Sequence, residues 1–396
     1  MTTTHFSGAT PSTEGVMVKK IGWLLALALS PIAVSAQDSV SAGWAEFDHL
    51  TWRLRGHDLP PLVTTSPPGT PIGQSGVLGT PGASVLFGGN DPNDDWRHGI
   101  QIRAGFWLDE CRTGGLEASA FSLSGVDSGA IFSSSGTPIL SRPFINALTG
   151  RPAAERVAFP GDLAGRVSPH ADADQLCGAG LHIRKIACED CDSRLDVLFG
   201  YRYLRYGDSV TVTENLVVDP ANAAGLPGGT TFRLADRFAA WNEFHGADVG
   251  LSGQMSWGSL VLSAYGSIAL GETSRVGDVA GSTATAVPGF AATTAAGGLL
   301  ALPSNIGTRR DTTFSIVPEV GIQVRFEVCP RVNIGVGCSA LYWSDVARAG
   351  DLIDPVVNPA RLPGAPGPVG PVRPIPLAPG SGLWVYGFDV GLSIGF

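Results

Sequence analysis

The sequence predicts an all-β fold: a closed antiparallel up-and-down transmembrane β-barrel of about ten strands, with short turns on one rim and long loops on the other. Three observations carry that prediction. The first is the segment 383–396, LWVYGFDVGLSIGF. It puts Trp384, Tyr386, Phe388, Val390, Leu392, Ile394 and Phe396 on one parity and Gly387, Asp389, Gly391, Ser393 and Gly395 on the other. That is the period of a strand with one apolar face, which lipid covers in a membrane barrel. The second is that such segments recur in pairs joined by short polar turns, with Gly/Pro/Ser/Ala-rich stretches between the pairs. The third is that mean hydropathy is +0.17, yet no run of about 18 apolar residues occurs outside the N-terminus. With 53 glycines and 29 prolines in 396 residues, this dispersed apolarity suits turn-rich β architecture.

The N-terminus reads as a secretory signal peptide over residues 1–36. Lys19 and Lys20 precede an apolar stretch from Ile21, and a small-residue V-S-A site ends at Ala36. Met17 stands directly before the basic pair, so residues 1–16 read as an over-called start or an unusual extension. Cleavage after Ala36 would remove Glu14 and the two lysines, taking the net charge from −9 to −10. No basic face remains for nucleic acid. The expected partners are outer-membrane lipid and the barrel insertion machinery, and the expected compartment is the bacterial outer membrane.

Residues 37–396 read as one barrel domain. Its strands are expected at 43–54, 99–108, 115–123, 176–186, 194–206, 242–255, 258–271, 313–328, 331–343 and 383–396. Long loops are expected at about 55–96, 125–174, 207–240, 272–311 and 347–381. An even strand count with both ends on the short-turn side agrees with outer-membrane barrels, and counts of eight or twelve stay open. The closing strand must pair with the first to remove both sheet edges, and Phe396 reads as a terminal insertion signal. A soluble secreted β-sandwich is the competing fold. Against it stands the apolar parity of Phe314, Ile316, Val320, Ile322, Val324, Phe326 and Val328.

If the apolar parity faces lipid, the other parity faces the lumen. It carries Arg53, Arg103, Arg184, Arg194, Arg202 and Arg325 against Glu117, Asp196, Asp248, Glu319, Glu327 and Asp389. Side chains can largely fill a barrel of this size, and buried charges persist when paired, so a lumen plugged by salt bridges is expected. A narrow channel for small solutes is the rival reading, and a hydrolase at the rim is a third. His49 and His182 also fall on the assigned lumen parity. No nucleophile elbow, metal-spaced His pair or paired-carboxylate motif accompanies them, so no catalytic, metal or cofactor residue is assigned and a non-enzyme is expected. Six cysteines in an oxidising compartment favour disulfides. Cys188 and Cys191 flank a tight turn and lie close enough for a strained bridge, whereas Cys111 and Cys329 occupy other turns of that rim. Asp351 and Asp354 read as turn caps.

Several strings are more specific: PPLVTTSPPGTP, GVLGTPGASVLFGG, GIQIRAGFWLDE, FHGADVGL, IVPEVGIQV and ALYWSDVARAGDLIDPVVN. In wording, order and spacing they resemble the BBP-type outer-membrane β-barrel family abundant in planctomycete bacteria, over nearly the whole mature chain. The chain departs from that pattern at Ala349, where the family has proline. The resemblance implies architecture and location. It carries over no catalytic residue, and it leaves Trp343, Asp345, Arg348, Gly350 and Asp354 as residues that shape the last rim-to-loop transition.

Overall fold

The computed structural model describes residues 42–55, 59–90, 94–222, 225–367, 369–378 and 380–396. The expected signal peptide and the expected mature start at Gln37 lie outside the described residues.

Ten strands form the wall: β1 Gly43–Arg55, β2 Trp96–Trp107, β3 Gly114–Leu123, β4 Leu176–Glu189, β5 Ser193–Val218, β6 Thr231–Trp257, β7 Leu260–Ala286, β8 Gly307–Cys329, β9 Val332–Val346 and β10 Ser381–Gly395. Each pairs antiparallel with its predecessor and its successor, and β1 pairs with β10 from Trp44↔Gly395 to Arg55↔Trp384. The hydrogen-bonded ring therefore returns on itself. Phe396 extends the seam: its amide donates to the Gly43 carbonyl and the Gly43 amide donates back, both at 2.9 Å.

The outer face has the expected parity on the strands after β1, whereas on β1 it is reversed. Phe47, Ile100, Leu181, Phe199, Leu251, Ile268, Phe314, Val320, Ile322, Val336, Phe388 and Val390 are all exposed. They form an apolar belt around the ring, with aromatic pairs such as Trp96 and Phe388 stacked at 6.0 Å between centroids.

The expected loops are corrected by the strand bounds. β5, β6 and β7 have 26, 27 and 27 residues, about 85–90 Å of extended chain, where a belt roughly 25 Å tall needs about 10 residues per strand. Much of 207–240 and 272–311 is thus strand projecting beyond the belt. The segment 125–174 is likewise largely strand, with Leu163–Ala173 paired along the far half of β5. Four-residue strands Val63–Ser66 and Ser84–Phe87 join Ile139–Asn146, Arg151–Ala158 and Val356–Val357 in a second, five-stranded sheet.

The reason these strands read as loops lies in their polarity. On β5 the outward residues Val197, Phe199 and Tyr201 are exposed and apolar. Beyond Tyr203 the outward positions are mostly polar, among them Arg205, Ser209, Thr211, Thr213 and Asn215, with Val217 apolar and exposed, and the apolar residues Val210, Val212, Leu216 and Val218 point inward and are buried. The pairing with β6 runs through this change without a register shift. Below the crossover the apolar side chains face outward; above it they face inward and form a core.

Candidate functional site

The interior is built in three layers. Nearest the short turns lies a charged layer. Arg184 donates from Nη1 to Glu117 at 2.8 Å, from Nε to Asp196 at 2.8 Å and from Nη2 to the Ser252 hydroxyl at 2.7 Å. Arg194 shares Asp196 at 3.0 Å. Arg202 bridges Asp248, at 2.9 Å from Nε, and Glu319, which also accepts from the Tyr265 hydroxyl at 2.9 Å. His182 Nε2 lies 3.0 Å from Asp248. Arg325 pairs with Glu46, whose other oxygen is 3.4 Å from Arg103. Asp389 accepts from Gln323 at 2.9 Å. Gly337 makes room for that pair, since a Cβ there would fall 2.4 Å from Gln323 and 2.5 Å from Asp389.

Ten of the twelve lumen charges named from the sequence are thereby brought into paired positions around the bore. Two are not. Arg53 is on the outer face: its register partners are Trp96 and Tyr386, and its guanidinium grips Asp94 with bonds of 2.5 and 2.6 Å. Glu327 keeps the inward parity but is exposed beside the short turn at the end of β8. His49 is also outward, stacked on His98 with centroids 5.4 Å apart. The parity of β1 is the reverse of the expected one because Leu50, Trp52 and Leu54 are apolar yet point inward, where they are 0–3 % exposed. The true inward acids of this strand, Glu46 and Asp48, were missed for the same reason, although Phe47 alone on the opposite parity marks the lipid side.

Above the charges lies the second layer. Leu50, Trp52, Phe121, Leu204, Phe244, Val317, Leu341, Trp343, Leu383 and Val385, contributed by seven strands, close on one another as a buried cluster. Trp343 is fully buried, and its indole N–H donates to Thr273 Oγ1 at 2.9 Å, which in turn donates to Ser315 Oγ at 2.7 Å. An indole can occupy such a site because its one polar atom is satisfied.

The third layer is the cap beyond the belt, a larger apolar core that joins the inward faces of β5–β7 to the second sheet. Inside it Arg142 bonds Glu214 at 2.5 Å and Asp236 at 2.8 Å. Asp236 also takes the consecutive amides of Leu299, Leu300 and Ala301 at 3.2, 3.2 and 2.9 Å, so it anchors the turn after Gly298. Burial, then the charge of Glu214, pushes Glu155 well above the usual carboxylate range. Asp208 accepts from the Ala349 amide at 2.9 Å, and burial pushes it up to about 7 against the opposing pull of that bond and of Arg348. Arg348 itself is buried and donates to the Gly382 carbonyl at 2.7 Å, and Asp354 holds Arg373 and the Ile375 amide at 2.9 and 2.8 Å. The R-A-G-D-L-I-D stretch thus ties the return from β9 to the cap.

The Cys188–Cys191 bridge is corrected: all six cysteines are free thiols. Cys188 is still on β4, opposite Leu195 after a bulge, while Cys191 sits in the turn, so their side chains belong to different local geometries. Among the described residues no group of three or more His, Cys, Asp or Glu is placed to hold a metal ion.

The ring's geometry does not by itself name a family, and the sequence does. A family described as "Putative beta barrel porin-7 (BBP7)" matches residues 44–396, from the start of β1 to the last residue. The chain belongs to that family. This BBP7 member is a porin-like outer-membrane β-barrel protein by family. Its solved structural neighbours are distant. The outer membrane protease OmpT from Escherichia coli has 9% identity and a TM-score of 0.42, covering 92% of this chain and 99% of that one. A TodX channel mutant for monoaromatic hydrocarbons has 10% identity and a TM-score of 0.22, covering 94% of each chain. The anion-selective porin from Comamonas acidovorans has 8% identity and a TM-score of 0.21, covering 91% and 100%. No curated protein matches this BBP7 member in sequence.

Proposed function

We propose that this chain is a non-conducting, non-enzymatic barrel of the outer membrane whose working surface is its cap, a structural or ligand-binding layer carried outside the cell. The short turns then face the periplasm, and outer-membrane lipid and the insertion machinery are its membrane partners. The observation that carries this reading is the apolar layer across the bore. Water-filled porins have polar interiors, whereas here Leu50, Trp52, Phe121, Phe244, Trp343 and Leu383 are each no more than 8 % exposed. Moving an ion through that layer would desolvate it at a cost of many kcal/mol.

The test is conductance of the refolded protein in planar bilayers. The expected trace is flat at voltages where general porins show steady steps. Reproducible single-channel steps would establish the narrow-channel reading instead. Unchanged peptide and ester hydrolysis backgrounds with and without the protein are expected as well, since His182 is engaged by Asp248 inside the charged layer and His49 lies on the outer face.

A further inference from the structure

At the short-turn end the bore is not filled. A cavity of about 340 Å³ runs from rim residues such as Gly43, Gly395 and Arg331 inward to Arg202 and Glu319. Seven arginines line it against four carboxylates, in a chain whose net charge is −9. Most of the deeper arginines are satisfied by the pairs described above. Arg112 differs. It sits in the β2–β3 turn in left-handed backbone, φ +53, and its guanidinium makes no ion pair among the described residues, while its Nε is buried with no hydrogen-bond partner. Its carbonyl accepts from Arg194 Nη2 at 2.7 Å, so the turn carrying this cation is clamped to the wall.

The surroundings are equally organised. Trp44 and Trp107 lie 4.9 Å apart between centroids, and the Arg194 guanidinium stacks over Trp107 at 4.3 Å. Gly105 is the floor beneath Trp44: a Cβ there would fall 2.2 Å from its ring. Stacking on an indole fixes the plane of the Arg194 guanidinium, whose Nε and Nη2 are held by Asp196 and the Arg112 carbonyl. A guanidinium with no acidic partner gains charge-assisted bonds when an oxyanion arrives in the cavity it lines.

We propose that this vestibule is a binding site for a small soluble oxyanion of the phosphate class, held at its mouth by Arg112 together with Arg194 and Arg331. The walls are inward-facing side chains and the lipid belt lies on the other side of the strands, so the ligand enters from solution at the short-turn rim. A basic mouth on an acidic protein concentrates such anions locally. This inference is independent of the cap, because the apolar layer separates the two.

Isothermal titration of the full chain, refolded in a phosphate-free maltoside detergent, with inorganic phosphate tests it. Saturable binding is expected for the wild type, with at least tenfold weaker affinity for Arg112→Gln. Arg237→Gln, an exposed change on the far half of β6, should bind as the wild type does. All three proteins should show the same heat-modifiable gel mobility, so that loss of binding is not loss of fold. No saturable heat from the wild type, or equal affinities for wild type and Arg112→Gln, would overturn the proposal.

Discussion

Arg202 shows what a single side chain does in the charged layer. Its guanidinium is the shared counter-ion of Asp248 and Glu319, both nearly inaccessible. Replacing it by alanine leaves two buried carboxylates facing one another, and breaking a buried pair in this way costs about 3–5 kcal/mol. Arg202→Ala should therefore lower the urea midpoint of the refolded barrel sharply, and adding Glu319→Gln should restore part of the loss. If the single variant unfolds at the wild-type midpoint, the layer is not holding the barrel. Asp208 gives a residue-scale effect of the opposite sign. Its carboxyl is raised from 3.8 to about 7 in the folded cap, so the folded state holds a proton that the unfolded chain has already released. The contribution to stability is complete below pH ~4 and is lost as the pH rises through about 7. Thermal unfolding in detergent should show a lower midpoint at pH 8 than at pH 5, with a smaller difference in Asp208→Asn. Glu155, also raised, keeps the remaining slope.

At the scale of the strand, β8 separates the two faces most cleanly. Ile322 points outward and is 44 % exposed, whereas its neighbour Gln323 is buried in the bore. Arginine at Ile322 should cost about 2–4 kcal/mol near the membrane midplane. Arginine at Gln323 enters a layer with Asp389 in reach but also displaces the Gln323–Asp389 and Gln323–Arg325 bonds; the smaller loss is expected there. Denaturant titration of both variants in the same lipid distinguishes them, and a greater loss at 323 would mean that bore packing outweighs lipid exposure. The strands also show why one pattern had to be read twice along its length. Alternation in GYRYLRY and in DSVTVTENLVV has the same period, but the apolar parity changes sides between them because the second segment packs its apolar residues into the cap core. Buried protein layers are a second apolar environment, which is why the second segment has the polarity of a loop and the apolar residues of β1 point inward.

For the whole molecule, closure is the dominant quantity. The seam between β1 and β10 covers twelve register pairs and is completed by the reciprocal Gly43–Phe396 bonds. Deleting Phe396 removes one exposed aromatic, worth a few kcal/mol at most, but also the last pair of seam bonds, and an open ring presents two whole strand edges to lipid. The expected outcome in cells is a reduced yield of heat-modifiable barrel with precursor lost to proteolysis, while Gly395→Ala assembles normally. Normal assembly of the deletion would reduce Phe396 to ordinary lipid-facing hydrophobicity.

Local pattern alone determined the ring. Period-two segments, short polar turns and an even count follow from the pleat of a strand and from the need to satisfy every backbone group in lipid, and both constraints act on neighbouring residues in the chain. The inward charges of β2–β6, β8 and β10 were legible for the same reason. The apolar layer, the cap core around Arg142 and Asp236, and the vestibule at Arg112 were decided by tertiary structure. Each joins residues far apart in the chain, such as Arg325 and Glu46, 279 positions apart in the vestibule wall, and whether an apolar side chain faces outward or meets a second protein layer is set only when distant strands close around it. Parity records that a strand has two faces. Which solvent lies on each face is a property of the folded barrel.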